Sequence, residues 1–510
     1  MKVIKRNGRA VEYNKEKIIT AIQKANNEVP QKEKATNNEI KKIINYIEDL
    51  GKKRILVEDI QDIIEEKLMA FKKYELAKKY IVYRYTRTLV RKQNTTDETI
   101  LGLIRNENRD VMEEDGPNTN TFLASSQRDY IAGEVSKDLT NRILLPEKIS
   151  KAHDDGVLYF HNSEYFIQPI FNCCLVDIEN MLENGTVING KLIESPKSFL
   201  VAATLITQII AAIASNQYGG QSVDIRHLGK FLRKSKESFK EELLKKYDNK
   251  VSREIIDEIV NDKTEKEIVS GVQTIICQIN TLMTTNGKPP AVTIFLKLDE
   301  NDEFIEENIR IIEQIFKQSL EGIKNENGEF ITPEFPKFEY VIDENNCLNG
   351  GKYDYLTELA VKCSVKKVSI NYISAKKMEE KYKSKIFPSI GNNELLSLWK
   401  DENKEYKFDG RFNQGRVTIN LPQIGIISNQ DEKKFWELLD ERLELCHEAL
   451  MCRHYALLNT KADVSPIHWR YGAISRLESG KNINEFLKNS YSTITLRLSR
   501  YFRTYKNNDK

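Results

Sequence analysis

Asn172-Cys173-Cys174-Leu175-Val176-Asp177 sets two thiols side by side in a 510-residue chain that holds only seven cysteines. Paired thiols in a chain otherwise poor in cysteine suggest sulfur chemistry. The other five, Cys277, Cys347, Cys363, Cys446 and Cys452, are scattered, and no CxxC pair occurs. A disulfide scaffold and a four-sulfur zinc site are therefore unsupported. In a strand, alternation turns only one of two neighbouring side chains toward a given face. Further along, Thr207-Gln208-Ile209-Ile210 and Ser215-Asn216-Gln217-Tyr218-Gly219-Gly220 are too particular for generic core. Leu445 to His454 interleaves Cys446, His447, Cys452 and His454, but the stretch is strongly helical and reads as scaffold. His153 and His161 frame a second polar stretch that could shape a pocket.

These groups need a scaffold, and from about residue 100 helical segments alternate with short apolar strands. Pro290–Leu296 and Val417–Leu421 are the clearest strands. Such alternation argues an α/β architecture. Phe199 to Ala214 is apolar but interrupted by Thr204, Thr207 and Gln208, so it reads as a buried helix rather than a membrane span. The Lys-rich helices between about 225 and 270 read as peripheral.

Residues 1–92 form a separate first unit. Val3-Ile4-Lys5-Arg6 turns at Asn7-Gly8 and returns through Ala10-Val11-Glu12-Tyr13, a hairpin pattern. Asn14 is placed to cap a helix with apolar Ile18, Ile19, Ile22 and Ala25. Ile40, Ile43, Ile44 and Ile47 mark a second helix; Ile60, Ile63, Ile64 and Leu68 a third; Leu76, Tyr80, Tyr83 and Leu89 a fourth. Lysine ammoniums and the amides of a tight turn suit triphosphate oxygens. Residues 93–99 are a polar linker, and 100–510 the second domain.

Lys plus Arg total 78 against 76 Asp plus Glu, a net charge of +2, so no global field would hold nucleic acid. The first thirty residues lack the apolar core of a signal peptide, and no run is long enough to span a bilayer, so a cytoplasmic protein with no membrane partner is expected.

The thiol motif, together with NTNTFLASSQRDYIAGEVSK (118–137), FDGRFNQGRVTINLP (408–422) and TKADVSPIHWRYGAISRL (460–477), resembles the anaerobic ribonucleoside-triphosphate reductases. These are glycyl radical enzymes that make deoxynucleotides for DNA synthesis. The first unit resembles the ATP-cone, a regulatory nucleotide-binding module. The resemblance implies a ten-stranded glycyl-radical-enzyme-type α/β barrel, incomplete at its C-terminus, behind a small, mainly helical cone. It implies that Cys173 is the family's second, reductant-side cysteine and that Asn413 lies beside the substrate ribose. It implies that Lys5, Arg6, Asn14 and Lys17 meet ATP or dATP as allosteric effectors. Ribonucleoside-triphosphate substrate, formate or a thiol as reductant, a radical-SAM activase and a homodimer complete the expectation.

Two departures stand against it. Where the family carries its hydrogen-abstracting cysteine, Gly391-Asn392-Asn393-Glu394-Leu395-Leu396-Ser397-Leu398-Trp399 has Asn392. After NSYSTITL (489–496) the match stops, before the family's zinc site and radical glycine, and a frameshift near Arg497 is the expected cause. The competing expectation is a catalytically inactive remnant that at most binds ATP.

Overall fold

The computed structural model describes residues 2–4, 10–52, 54–85, 100–101, 123–247, 251–285, 287–347, 350–382, 386–391, 395–401 and 404–498. The chain divides into two compact units, one within residues 1–105 and the other within 106–500. The linker expected at 93–99 lies outside the described residues. Among the described residues, no helix is long and apolar enough to cross a membrane.

In the first unit, Lys2–Ile4 pairs antiparallel with Ala10–Glu12, as the hairpin pattern predicts, and the turn lies outside the described residues. Helices follow at Lys15–Asn26, Asn37–Asp49, Val57–Ala70 and 74–85. Their stripes meet in one core in which Ile22, Ile43, Ile47, Ile64 and Leu76 are fully buried. Thr36 closes a reciprocal capping box with Glu39, which fixes where the second helix begins. One element escapes the sequence reading. Arg54–Leu56 adds a parallel third strand beside Lys2–Ile4, with Val3 opposite Ile55. Three residues running straight into a helix carry no period-2 signal of their own.

The second unit is built on one large sheet, whose strands are numbered here in chain order: β1 Leu158–Phe160, β2 Cys173–Leu175, β3 Gln221–Asp224, β4 Val292–Leu296, β5 Lys337–Ile342, β6 Ile370–Ser374, β7 Arg411–Asn420 and β8 Tyr491–Arg497. Their order is β6-β5-β4-β3-β2-β7-β8, with β1 also on β7. The strands β2 to β6 are mutually parallel, so each return crosses a helix. Phe199–Ala214 joins β2 to β3, Ile305–Glu321 precedes β5, and Asp354–Val365 joins β5 to β6. Of the ten strands the resemblance implies, eight form among the described residues. β7 runs antiparallel to β2 and β1 but parallel to β8, with a register shift between Asn413 and Arg416.

The sheet buries both faces, and alternation sorts its side chains. Cys174, Val223, Ile294, Phe338 and Tyr340 join the helix-side core, while Cys173 and Leu175 join a second cluster with Phe387, Ile390 and Leu396. The Phe199–Ala214 helix is buried as predicted along most of its length, though Leu200 and Val201 are exposed at its first turn. β7 begins six residues earlier than the apolar run suggests, because Arg411, Asn413 and Gln414 are buried polar residues that the hydrophobic pattern passes over.

The turn before β3 is packed onto the residue before β2. Gly219 N donates to Asn172 O at 2.6 Å, and a Cβ on Gly219 would lie 2.6 Å from that same oxygen. No side chain fits. Gly219→Ala is therefore expected to cost about 1–3 kcal/mol of unfolding free energy by overpacking, read by chemical denaturation.

Candidate active site

Cys173 and Asn413 stand directly opposite each other where β2 meets β7. Asn172 N donates to Asn413 O at 2.9 Å beside them. Facing residues of an antiparallel pair project from the same side of the sheet, so thiol and amide share one environment. Both side chains are fully buried. Asn413 Nδ2 donates to Thr493 Oγ1 at 2.7 Å, which ties the amide to β8.

A loop closes over the thiol. Gly391 sits at φ +62°, and a Cβ there would lie 3.2 Å from Cys173 Sγ. The left-handed conformation and the close approach both call for glycine. Asn392, next in the chain, lies outside the described residues. Phe387 stacks on Phe408 at 4.0 Å between ring centroids, holding the start of the loop in the apolar interior.

Cys174 points away from this site. Its Sγ donates to Gln217 Oε1 at 3.2 Å, and His468 Nε2 lies 3.2 Å from the same oxygen. An amide oxygen only accepts, so the network assigns the His468 proton to Nε2, leaving Nδ1 to accept from Ser465 Oγ at 2.6 Å. Burial pushes His468 down to about 3, so the ring is neutral. Gln217 Nε2 donates to Gly219 O at 3.1 Å and Gly220 O at 2.8 Å. The Ser215–Gly220 motif and the Pro466-Ile467-His468-Trp469 motif thus meet behind the cysteine pair.

Tyr218 is a candidate that residue type alone did not single out. Its hydroxyl donates to Gln414 O at 2.9 Å, one residue from Asn413, and its ring stacks on Tyr165 with an interplanar angle of 5°. Burial pushes the phenol up to about 12. The signal was the tyrosine inside the already conspicuous Ser215–Gly220 motif. His161 lies beyond Arg416, with Nε2 2.6 Å from Thr418 Oγ1. Burial, then the charges of Arg416 and Arg453, pushes it down to about 3. His153 is half-buried and accepts from Phe160 N at 3.2 Å. Cys173 itself is buried in an apolar cluster with Leu175, Phe387, Ile390 and Leu396, an environment that keeps water from a reactive radical.

The expected effector residues are only partly placed. Lys5 and Arg6 lie outside the described residues. Asn14 Oδ1 accepts from Glu16 N at 2.9 Å as the helix cap, and Lys17 is exposed on the same first turn. Cys446 is buried toward β7, while His447, next in the helix, is exposed. Among the described residues, no three His, Cys, Asp or Glu gather as metal ligands.

A second polar region lies at the far end of β3 and shares no residue with the thiol site. A cavity of about 370 Å³ is lined by Glu179, Arg226, His227, Lys230, Asp299 and Phe304, among others. Its charges are matched in pairs: Arg226 to Asp224 at 2.5 Å, His227 to Glu179 at 3.7 Å, and Lys230 to Glu183.

A family model for anaerobic ribonucleoside-triphosphate reductase matches residues 117–496, and one for the ATP cone domain matches residues 1–89. The chain is 33% identical over 503 residues to the anaerobic ribonucleoside-triphosphate reductase of Haemophilus influenzae, covering 97% of this chain and 69% of that one. It is 36% identical over 413 residues to the enzyme of the same name from enterobacteria phage T4, covering 79% and 66%. Among solved structures, the anaerobic ribonucleotide reductase of Thermotoga maritima with MES in its active site matches with a TM-score of 0.52. That match has 15% identity and covers 78% of this chain and 62% of that one. The fold of the second unit is that of the anaerobic ribonucleotide reductases, and the first 89 residues match an ATP cone domain. The chain belongs to the anaerobic ribonucleoside-triphosphate reductase family. It spans about two thirds of the length of these curated relatives.

The paired charges at the far cavity give a pH test. Burial works against a charge on His227, but Glu179 and Asp224 outweigh it and raise the group to about 9. A folded value above the unfolded one of about 6.5 means the stabilisation is complete below that pH and is lost as pH rises through about 9. Glu179 is more than half exposed, which screens the pair. His227→Gln is expected to lower unfolding free energy by about 1–2 kcal/mol at about pH 6 and by almost nothing at about pH 10, read by denaturant titration.

Proposed function

We propose that this chain reduces ribonucleoside triphosphates to deoxyribonucleoside triphosphates under anaerobic conditions, with ATP and dATP acting through the cone. The carrying observation is the buried register pair of Cys173 and Asn413 in a chain of this family. Replacing the 2′-hydroxyl by hydrogen consumes two electrons and two protons and releases water. Formate, leaving as carbon dioxide, or a thiol pair supplies the electrons. In the family a glycyl radical, installed by a radical-SAM activase, initiates the chemistry.

This chain's own contribution is the pocket. Asn413 orients the ribose by hydrogen bonding a hydroxyl, using the amide that Thr493 steadies. Cys173 delivers its hydrogen on the reductive side of the cycle, where its enclosure keeps water out. Lys5, Arg6, Asn14 and Lys17 form the effector contacts, and the active form is a cytoplasmic homodimer. Asn392 has no S–H bond to give up and reform, so the step that the family assigns to that position is the weakest in this chain.

The test is anaerobic incubation of the chain with activase, S-adenosylmethionine, formate, CTP and ATP. In Asn392→Cys, which supplies the missing thiol, formation of dCTP is expected, with its loss by about a hundredfold or more when Cys173→Ser is added. Asn392→Cys is expected to raise turnover. Nucleotide binding with no dCTP from either chain would overturn the reductase reading in favour of a nucleotide-binding protein.

A further inference from the structure

β7 changes neighbours just beyond the thiol site. Its first residues, Arg411–Asn413, pair with β2, and from Val417 it pairs with β1 instead. Between those partners one extra residue enters: Asn413 lies opposite Tyr491, and Arg416 lies opposite Thr493 on β8. Three steps along β7 match two along β8, which is the count of a bulge. The bulge decides which side chains face the thiol. Asn413 Nδ2 reaches Thr493 Oγ1 at 2.7 Å, Thr418 and Thr495 bond through their hydroxyls, and Arg416 Nη2 lies 3.4 Å from His161 Nδ1. Asn413, Arg416 and Thr418 therefore share the Cys173 face. Strict alternation from Asn413 would send Arg416 and Thr418 to the other side.

The extra residue is held by Arg453, from the Glu432–Leu457 helix that packs on the opposite face of β7 against Val417 and Ile419. A Cβ on Gly415 would overlap Arg453 Cδ and lie 2.6 Å from its Nε. The Arg453 stem thus fills the space that any side chain at 415 would need. Its guanidinium lies 4.3 Å from the Phe160 ring centroid and 5.4 Å from that of Tyr218. Nη2 donates to His161 O and, at 3.1 Å, to Asn162 O, just past the end of β1. Arg453 is 3% exposed and makes no ion pair among the described residues. A buried charge held by carbonyls and aromatic faces is costly to relocate. Tyr218 Oη donates to Gln414 O at 2.9 Å, and Gln414 Nε2 donates to Ser490 Oγ at 2.6 Å. Both residues of the bulge, Gln414 and Gly415, are pinned from outside the strand.

We infer that Arg453 is a positioning residue: a wedge, anchored at the end of β1, that keeps the bulge in β7 and so turns Asn413 and Arg416 together onto the Cys173 face. It acts from the opposite face of the strand, through the backbone. This deepens the reductase reading, on which the role of Asn413 at a ribose rests. The bulge starts at the residue after Asn413, and a displacement of about 1 Å in a group that orients substrate costs about two orders of magnitude in rate.

A cross-link reads this register without turnover. Thr418 and Thr495 are register partners whose hydroxyls already bond, so Thr418→Cys with Thr495→Cys in the full chain puts two thiols within disulfide reach. Without the bulge, Val417 would oppose Thr495 and the side chain at 418 would turn to the helix side. Mild oxidation and non-reducing peptide mapping should show the 418–495 link in this parent. Adding Arg453→Ala should slow its formation by about tenfold or more. Arg453→Lys keeps a stem over Gly415 and an ammonium for the two carbonyls, and should stay within about twofold of the parent. Leu450→Ala, on the same helix and in the core against Val417, should lower the melting temperature and leave the link rate unchanged. A merely structural role for Arg453 would make the two alanine variants behave alike. Should Arg453→Ala fail to fold, Arg453→Met keeps the bulk, gives up the tether and should slow the link by about fivefold. No link in the parent, or an unchanged rate in Arg453→Ala and Arg453→Met, overturns the inference. Lack of dCTP beside an Arg453-dependent link would count against the reductase reading alone.

Discussion

Where Cys173–Leu175 lies against Arg411–Asn413, five parallel strands meet a strand running the other way. Much of the second unit depends on that junction. Parallel strands pair only with help from crossover helices, so β2 to β6 arrive with a helical layer already on one face. β7 brings no such layer to its first residues. Its polar side chains Arg411, Asn413 and Gln414 are buried at the junction, where an ordinary strand would bury apolar ones. A one-residue slip in this register would exchange Asn413 for Phe412 opposite Cys173 and send the amide into the helix-side core. Phe412 is already committed there, packed at 4.7 Å and 5.3 Å between ring centroids with Phe171 and Trp469. The aromatic core on one face therefore fixes the chemical pairing on the other.

The two adjacent thiols show the same division of labour at atomic scale. Cys174 is drawn into a polar chain through Gln217 to His468 and Ser465, and burial raises its thiol well above the ordinary range, so it stays protonated. An S–H locked as a donor to Gln217 is a poor reactant but a good anchor. Because β2 is only three residues long, fixing Cys174 on one side leaves Cys173 little freedom on the other. Gln217 also holds the carbonyls of Gly219 and Gly220, so the turn entering β3 and the thiol strand are set by one side chain.

Much of this was legible in the sequence because it rests on local pattern. The cone helices follow their apolar spacing, and the junction between Asn14 and its helix follows from a single capping residue. The motif around Cys173 and the one around Asn413 could be recognised separately. That they are register partners could not, since 240 residues separate them and strand pairing leaves no trace in either segment alone. Arg54–Leu56 was hidden by its brevity. Glu339 was hidden for a different reason: within Lys337–Ile342 it reads as the polar member of an alternating strand, and such a residue normally faces solvent. Only the curvature of the sheet and the loop threaded against it turn that polar face inward.

Inward-facing charge then has a consequence for how the loop moves. Neither Glu339 nor Arg411 has an ion-pair partner among the described residues. Instead each is completed by the loop: the carboxyl by Ser389, the guanidinium by Ser397. Pulling either leg away orphans a buried ionisable group, at a cost of about 1–3 kcal/mol or more for each. Purely apolar contacts such as Phe387 on Phe408 would not give the loop this kind of hold by themselves. Graded apolar packing tolerates sliding of a few tenths of an ångström, whereas hydrogen bonds to a buried charge weaken steeply with angle and distance. The second kind of hold lies two residues before Gly391, the glycine packed against Cys173.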